Sequence, residues 1–441
     1  MLSTSSIRIT KHNLAIFILF AYFSTSAQEN SPFSRYGLGD VFPSQNIVNR
    51  AMGGVTSTYA SGSSVNFTNP ASYSAFRTNV TYDIGLTIDT RTLKSANPVD
   101  KYNTANFTPS YVALGIPLSK VKNFGLAFGL RPISKVNYSI EEAKRVPADS
   151  MVYLYNGDGG LYQAFVGVGK KWGGFSAGIN TGFLFGRKEN KTSAIPIDSV
   201  QTYKSNSSTL TTFNSAFINL GLQYEAILNK TTAIHFGISG NLGQNLKATR
   251  QLTRETFVYD FNGNPIPVDS IYKSPEESGN IKLPATYIVG VGISKMAESK
   301  GLKYEKGSIT IEYESTQWTS YRFYEQTDKL RNSWQVRLGG QLMPNPVSNN
   351  YWNWVSYRTG FSYGQEAFFA DGVGMKNYTV AFGVGLPVRK HRSYDYQSTV
   401  INTTFELGKR GSNKNNITEN FFRFSLGFNL SDIWFIKRKY D

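Results

Sequence analysis

The stretch FFRFSLGFNL at residues 421–430 decides the fold. Phe422, Phe424, Leu426, Phe428 and Leu430 fall on one parity, while Arg423, Ser425, Gly427 and Asn429 fall on the other. Apolar residues recurring every second position belong to a strand with two unlike faces, since a helix would repeat every 3.6 residues. The pattern returns with Tyr378, Val380, Phe382, Val384 and Leu386 against Thr379, Ala381, Gly383 and Gly385. It returns again with Phe124, Leu126, Phe128 and Leu130 against Gly125, Ala127, Gly129 and Arg131.

Reading outward in this way yields about fourteen strands between residues 79 and 435, an even number, as a closed single-chain bacterial barrel needs. In the first half, tight turns near 118–122, 171–173 and 227–230 alternate with stretches at 134–159, 187–209 and 246–281, which read as long polar loops. A soluble β-sandwich would also alternate. Aromatic residues make up 14% of the chain and gather at strand ends, as at Tyr351-Trp352 with Trp354, Phe368-Phe369 and Trp434-Phe435, which suits girdles at a membrane interface. The expected fold is therefore all-β, a transmembrane antiparallel β-barrel spanning 78–436 whose small-residue face lines the lumen.

The amino terminus carries an address. Arg8, Lys11 and His12 precede the apolar run Leu14 to Phe23 and the small residues Ser24 to Ala27, the order of a secretory signal peptide covering 1–27. That run is about half of the ~20 residues a membrane-spanning helix requires. There is no cysteine, which excludes disulfides, thiolate metal sites and thiol nucleophiles. The formal charge is +16, and 44 basic against 30 acidic groups remain once Arg8 and Lys11 leave with the signal. Basic residues cluster in turns, at Lys170-Lys171, Arg389 to Arg392 and the tail 437–441, a placement that suits a lipid surface and argues against nucleic acid as partner.

Residues 28–77 do not alternate and are dense in Gly, Ser, Asn and Ala. Gly53-Gly54 permit close backbone contact, and Asn69-Pro70-Ala71 reads as a turn start. This punctuation suits a hatch packed inside the lumen. On Ala51-Met52-Gly53-Gly54 and Asn69-Pro70-Ala71, placed just before the first strand, the sequence resembles the FadL/OmpP1/TodX family of outer-membrane transporters, with the ends SPFSRYGLGD (31–40) and WFIKRKYD (434–441) similar to its Bacteroidota relatives. The resemblance implies an N-terminal hatch, a fourteen-stranded barrel, a lateral break in the wall near the third strand, and uptake of hydrophobic small molecules such as long-chain fatty acids. Arg131-Pro132 is the expected place of that break, because proline cannot complete a ladder. Some relatives act instead as PorV-like partners of secretion or assembly complexes, which is the alternative expectation.

Strand parity sends several charges inward. Glu312 and Glu314 share a face, with Arg337 on the next strand and Arg358 on the one after; Arg423 lies between Glu406 and, across the closure, Asp83 and Asp89. These read as a lumen charge network that anchors the hatch, with Arg337, Arg358 or Arg423 as alternative seats for a ligand carboxylate. No cofactor or metal is expected, and no catalysis: apart from His12 only His235 and His391 exist, and a Ser239-His235 pair is the one conceivable nucleophile and base. Outer-membrane lipids, a hydrophobic ligand and an outer-membrane complex are the expected partners.

Overall fold

The computed structural model describes residues 31–432 and Trp434, apart from 78, 98, 120, 147–148, 198–202, 371, 389–397 and 413. The signal segment, the basic tail and His391 lie outside the described residues. Alternating sequence becomes one antiparallel sheet: β1 (Asp40–Val41), β2 (Val80–Ala96), β3 (Val99–Ser119), β4 (Phe124–Val146), β5 (Asp149–Trp172), β6 (Phe175–Pro196), β7 (Lys204–Asn229), β8 (Thr232–Asn241), β9 (Gln244–Tyr259), β10 (Pro265–Lys273), β11 (Glu277–Leu283), β12 (Thr286–Ser299), β13 (Leu302–Thr316), β14 (Arg322–Phe323), β15 (Ser333–Leu342), β16 (Ser356–Ala370), β17 (Val373–Pro387), β18 (Ser398–Arg410) and β19 (Ile417–Asp432).

Several of these are pieces of one wall strand. β8 and β9 both pair with β7, and β10, β11 and β12 run back along them in turn. Counted by pairing, the wall has fourteen strands. It closes where β19 runs antiparallel to β2, from Ile417↔Ser95 to Asp432↔Val80. Closure joins the first and last wall strands edge to edge, the condition for crossing a bilayer with strands. No described helix is long and apolar enough to cross a membrane.

Parity places side chains as the alternation demands. Ile218, Leu220, Leu222, Phe236, Ile238, Ile309, Ile311, Phe382, Phe405 and Leu407 are exposed on the outer face. Arg423, Ser425, Thr404, Glu406, Gln163 and Asn180 are buried on the inner one. So extended an apolar surface is stable only in lipid.

The expected loops at 134–159, 187–209 and 246–281 are largely strand. β4, β5, β6 and β7 run for 23, 24, 22 and 26 residues, so β7 spans about 80 Å at ~3.3 Å per residue, against the ~10 residues that cross a bilayer. Polarity suggested loops there, but a sheet standing in water on both faces can be polar throughout. Phe368 is also not part of a girdle: it is buried and stacks on Phe33 at 5.1 Å and Tyr36 at 6.1 Å.

The rim where β2 begins and β19 ends is the terminus-side rim, and the opposite end is the far rim. Residues 31–76 occupy the lumen between them, through a 3-10 turn at Pro32–Arg35, β1, a short helix Ile47–Ala51 and a second 3-10 turn Pro70–Ala75. The core lies where this plug meets the wall: Ile47, Val65, Phe67, Tyr73 and Phe76 pack with Tyr111, Ala113, Ala127, Leu161 and Phe165.

Candidate functional site: the plugged lumen

Small residues on the inner face let plug backbone touch wall backbone. Gly125 lies under Tyr73 O, Gly169 and Gly178 under Pro70, Gly221 under Asn69 Oδ1, Gly237 under Ser57, Gly339 under Met52 and Gly360 under Gly53. At each, an added Cβ would fall closer than real Cβ atoms approach. A belt of wall glycines thus fits the plug all the way round.

The plug's own motifs explain how it turns against that belt. Asn69 caps the second 3-10 turn by accepting from Ala71 N at 3.1 Å, Pro70 stands at the first position where no N–H is needed, and Asn69 Nδ2 donates to Ser57 O at 2.7 Å. Gly53 and Gly54 follow the helix with φ of 68° and 88°, values that favour glycine. A Cβ on Gly53 would come within 2.8 Å of Phe361 N.

The inward charges fasten this plug to the wall. Glu312 Oε2 accepts the backbone N–H groups of Thr56 at 2.7 Å and Ser57 at 2.6 Å, while Oε1 takes Arg337 Nη1 at 2.8 Å. Arg337 also meets Glu314 at 2.6 Å. Asp83 accepts from Val65 N at 2.9 Å and Tyr111 Oη at 2.8 Å, so its partners are neutral groups. Glu406 faces Arg423 across β18–β19 but binds Arg50 of the plug, whose Nε is 2.9 Å away. Arg423 pairs with Asp89 at 3.1 Å. Arg358 meets Asn402 and Gln341 and has no acid partner among the described residues.

A further cluster clamps β1. Asp40 binds Arg91 at 2.6 Å and Arg410 at 2.9 Å, with Glu419 and Glu366 close by. Burial alone would raise the Asp40 carboxyl pKa, but Arg410 and Arg91 outweigh it and hold it well below the usual carboxylate range. Sequence reading missed these residues. Arg91, Arg410 and Glu419 continue the inward parity of Asp89, Glu406 and Arg423 and were findable; Asp40 and Arg50 sit on a segment without periodicity.

At Arg131-Pro132 the wall changes. The β3–β4 ladder, among the described residues, ends at Val112↔Leu130, and Ile133 bulges between Pro132 and Ser134. Beyond it β4 takes up β1, with Asp40↔Lys135 and Val41↔Ser134, and the bulged Ile133 O accepts from Phe42 N at 2.9 Å. Arg131 turns inward to Gln163 Oε1 and Ser44 O, both at 2.7 Å, beneath the Phe67 ring. A cavity of about 400 Å³ lies on the far side of the plug, lined by Arg131, Ile133, Leu161, Leu184, Phe217 and Trp318 among others.

His235 Nε2 meets Ser294 Oγ at 2.7 Å. Ser239 lies four residues along the same strand, about 13 Å away by strand rise, and is out of its reach. Among the described residues no group of His, Asp and Glu is arranged to hold a metal.

A family model described as BamG matches residues 9–441. The chain belongs to the BamG family. No curated protein matches its sequence. Among solved structures this BamG-family chain is similar to the Ralstonia pickettii toluene transporter TbuX, at 13% identity over 88% of this chain and 98% of that one, with a TM-score of 0.53. It is similar to the Pseudomonas putida toluene transporter TodX, at 13% over 90% and 100%, TM-score 0.53, and to a Pseudomonas aeruginosa FadL homologue, at 11% over 90% and 99%, TM-score 0.51. At these identities the likeness establishes the FadL-type plugged-barrel fold of this BamG-family member.

Proposed function

We propose that this chain is an accessory subunit of an outer-membrane protein assembly or secretion complex, a plugged barrel that serves by docking and not by conduction. The observation that carries the reading is the seating of the plug. Its backbone rests on the glycine belt, and buried carboxylates and arginines pin it at separate points on β2, β13 and β18. Arg50–Glu406 and the Asp40 clamp are buried ion pairs, and removing one partner of such a pair costs about 3–5 kcal/mol, so displacing a plug held by these and by carboxylate–amide bonds is costly. BamG-family membership agrees with an accessory role. In this reading the chain is exported by its leader, cleaved after Ala27, and sits in the outer membrane of a Gram-negative bacterium with its terminus-side rim toward the periplasm. The lumen charges are anchors, and the chain is not an enzyme.

The chain contains no cysteine, which allows a clean test. Ser74 Oγ of the plug and Ser176 Oγ of the wall are 3.4 Å apart, so Ser74→Cys with Ser176→Cys can lock the plug by a disulfide. Cells relying on the oxidised lock are expected to keep normal levels of other outer-membrane proteins. Loss of function on locking, restored by a reductant, would overturn the accessory reading.

Uptake of hydrophobic molecules is the second reading. It is favoured by the partly apolar cavity that reaches Arg131, next to the ladder end at Leu130, and it agrees with the toluene transporters of like fold. The same locked variant separates the two: a conduit stops when its plug is tied.

A further inference from the structure

The inward arginines differ in what neutralises them. Arg50, Arg91, Arg337, Arg410 and Arg423 each have a carboxylate oxygen within 4 Å. Arg358 has none among the described residues: Nη1 donates to Asn402 Oδ1 at 2.8 Å, and Nε reaches Gln341 Oε1 at 3.5 Å. A guanidinium offers five N–H donors and these two bonds use one each of Nη1 and Nε, so among the described residues both hydrogens of Nη2 lack an acceptor. Arg131 also lacks an acid, but two acceptors at 2.7 Å and the Phe67 face already occupy it.

Strand register builds a seat around Arg358. Gln341 stands opposite it on β15, and Asn402 projects from β18 beside Gly385. The guanidinium lies over Gly385, where a Cβ would come within 2.9 Å of Nη1 and 3.2 Å of Nη2. Glycine makes the room, and neutral amides orient the cation without cancelling its charge. Glu305 accepts from Gln341 Nε2 at 2.8 Å and is not within ion-pair distance of Arg358. The position is half-buried and one inward step rimward of Gly360, which touches the plug at Gly53. It therefore faces the terminus-side mouth of the lumen.

We propose that Arg358, held by Asn402 and Gln341 over Gly385, is a binding seat for an oxyanion, a carboxylate or a phosphate, presented from the terminus-side mouth of the barrel. A planar guanidinium with a free edge suits bidentate bonds to such a group, and a partly desolvated cation without a counter-ion gains from acquiring one. This site is independent of whether the barrel docks or conducts.

Calorimetric titration of the full-length barrel in detergent tests it with four probes: acetate, inorganic phosphate, and trialanine with a free or an amidated C-terminus. Saturable binding of acetate and free trialanine but not the amide assigns a carboxylate source; binding of phosphate alone assigns a phosphate source. In either case Arg358→Gln is expected to weaken binding at least tenfold, and Gly385→Val, which fills the seat from the next strand, to do the same. Arg358→Lys should retain part of the affinity, and Arg187→Gln on the exposed far side should change nothing. Heat-modifiable gel mobility reports that each variant is folded. Absence of saturable binding for every probe, or equal affinity in folded Arg358→Gln, would overturn the proposal.

Discussion

Ser57 of the plug donates its backbone N–H to Glu312 of the wall over 2.6 Å. The same oxygen takes the N–H of Thr56, and the other takes Arg337, so one buried carboxylate joins two plug amides to a wall arginine. Glu312→Ala would strand both plug amides and leave Arg337 to Glu314 and Gln335. The expected loss is about 3–5 kcal/mol, seen as a lower temperature for the folded-to-unfolded gel shift and as new protease cleavage within 56–64. Glu312→Gln, which keeps an acceptor, should lose less. Resistance of the Ala variant to both assays would count against the anchor.

The glycine belt predicts a steric effect of definite sign. Gly221→Val sets a branched side chain where Asn69 Oδ1 and Pro70 already lie. Overpacking of this kind costs about 1–3 kcal/mol, measurable as a fall in thermal midpoint. The outward Ile218→Val, facing lipid, is expected to shift that midpoint hardly at all.

Asp40 gives a pH dependence. Its folded pKa is depressed below the ordinary value of 3.8, so the stabilisation it supplies is fully present above that value and is lost only as pH falls through the folded pKa. Protease protection of the β1 segment should be flat from pH 7 to about 4 and decline only in stronger acid. Asp40→Asn should begin with weaker protection and show no such acid-linked decline. A drop in the parent protein between pH 7 and 5 would contradict the clamp.

Phe261 is fully exposed at the tip of the β9–β10 ribbon, beside exposed Ile266, Val268 and Ile271. Phe261→Asp is expected to leave barrel stability within about 0.5 kcal/mol, as surface changes do. If the accessory reading holds, the variant should co-purify with its complex in lower yield than the parent. Unchanged recovery would remove this ribbon from the docking surface.

Much of this was legible in the residues themselves. The alternation at 421–430 fixed which side chains face lipid, and parity brought Glu312, Glu314 and Arg337 together because a strand face needs only counting. Asn69-Pro70-Ala71 and Gly53-Gly54 marked turns, although not the wall glycines they lean on. The polar stretches after residues 133, 186 and 245 gave a false signal, since polarity cannot tell a loop from a strand with water on both sides.

What the sequence determined alone is the barrel: period two, small residues opposite large ones, and too few long apolar runs for helices. These are local properties, set by each strand's two environments. Only the tertiary structure decided what the lumen charges do. Arg423 faces Glu406 and Asp89 with equal claim by parity, yet it pairs with Asp89, while Glu406 is taken by Arg50 from a segment some 350 residues distant in the chain. A plug without periodicity marks its turns but not the wall residues that it meets, and the small-residue face of the barrel records only that there is room inside.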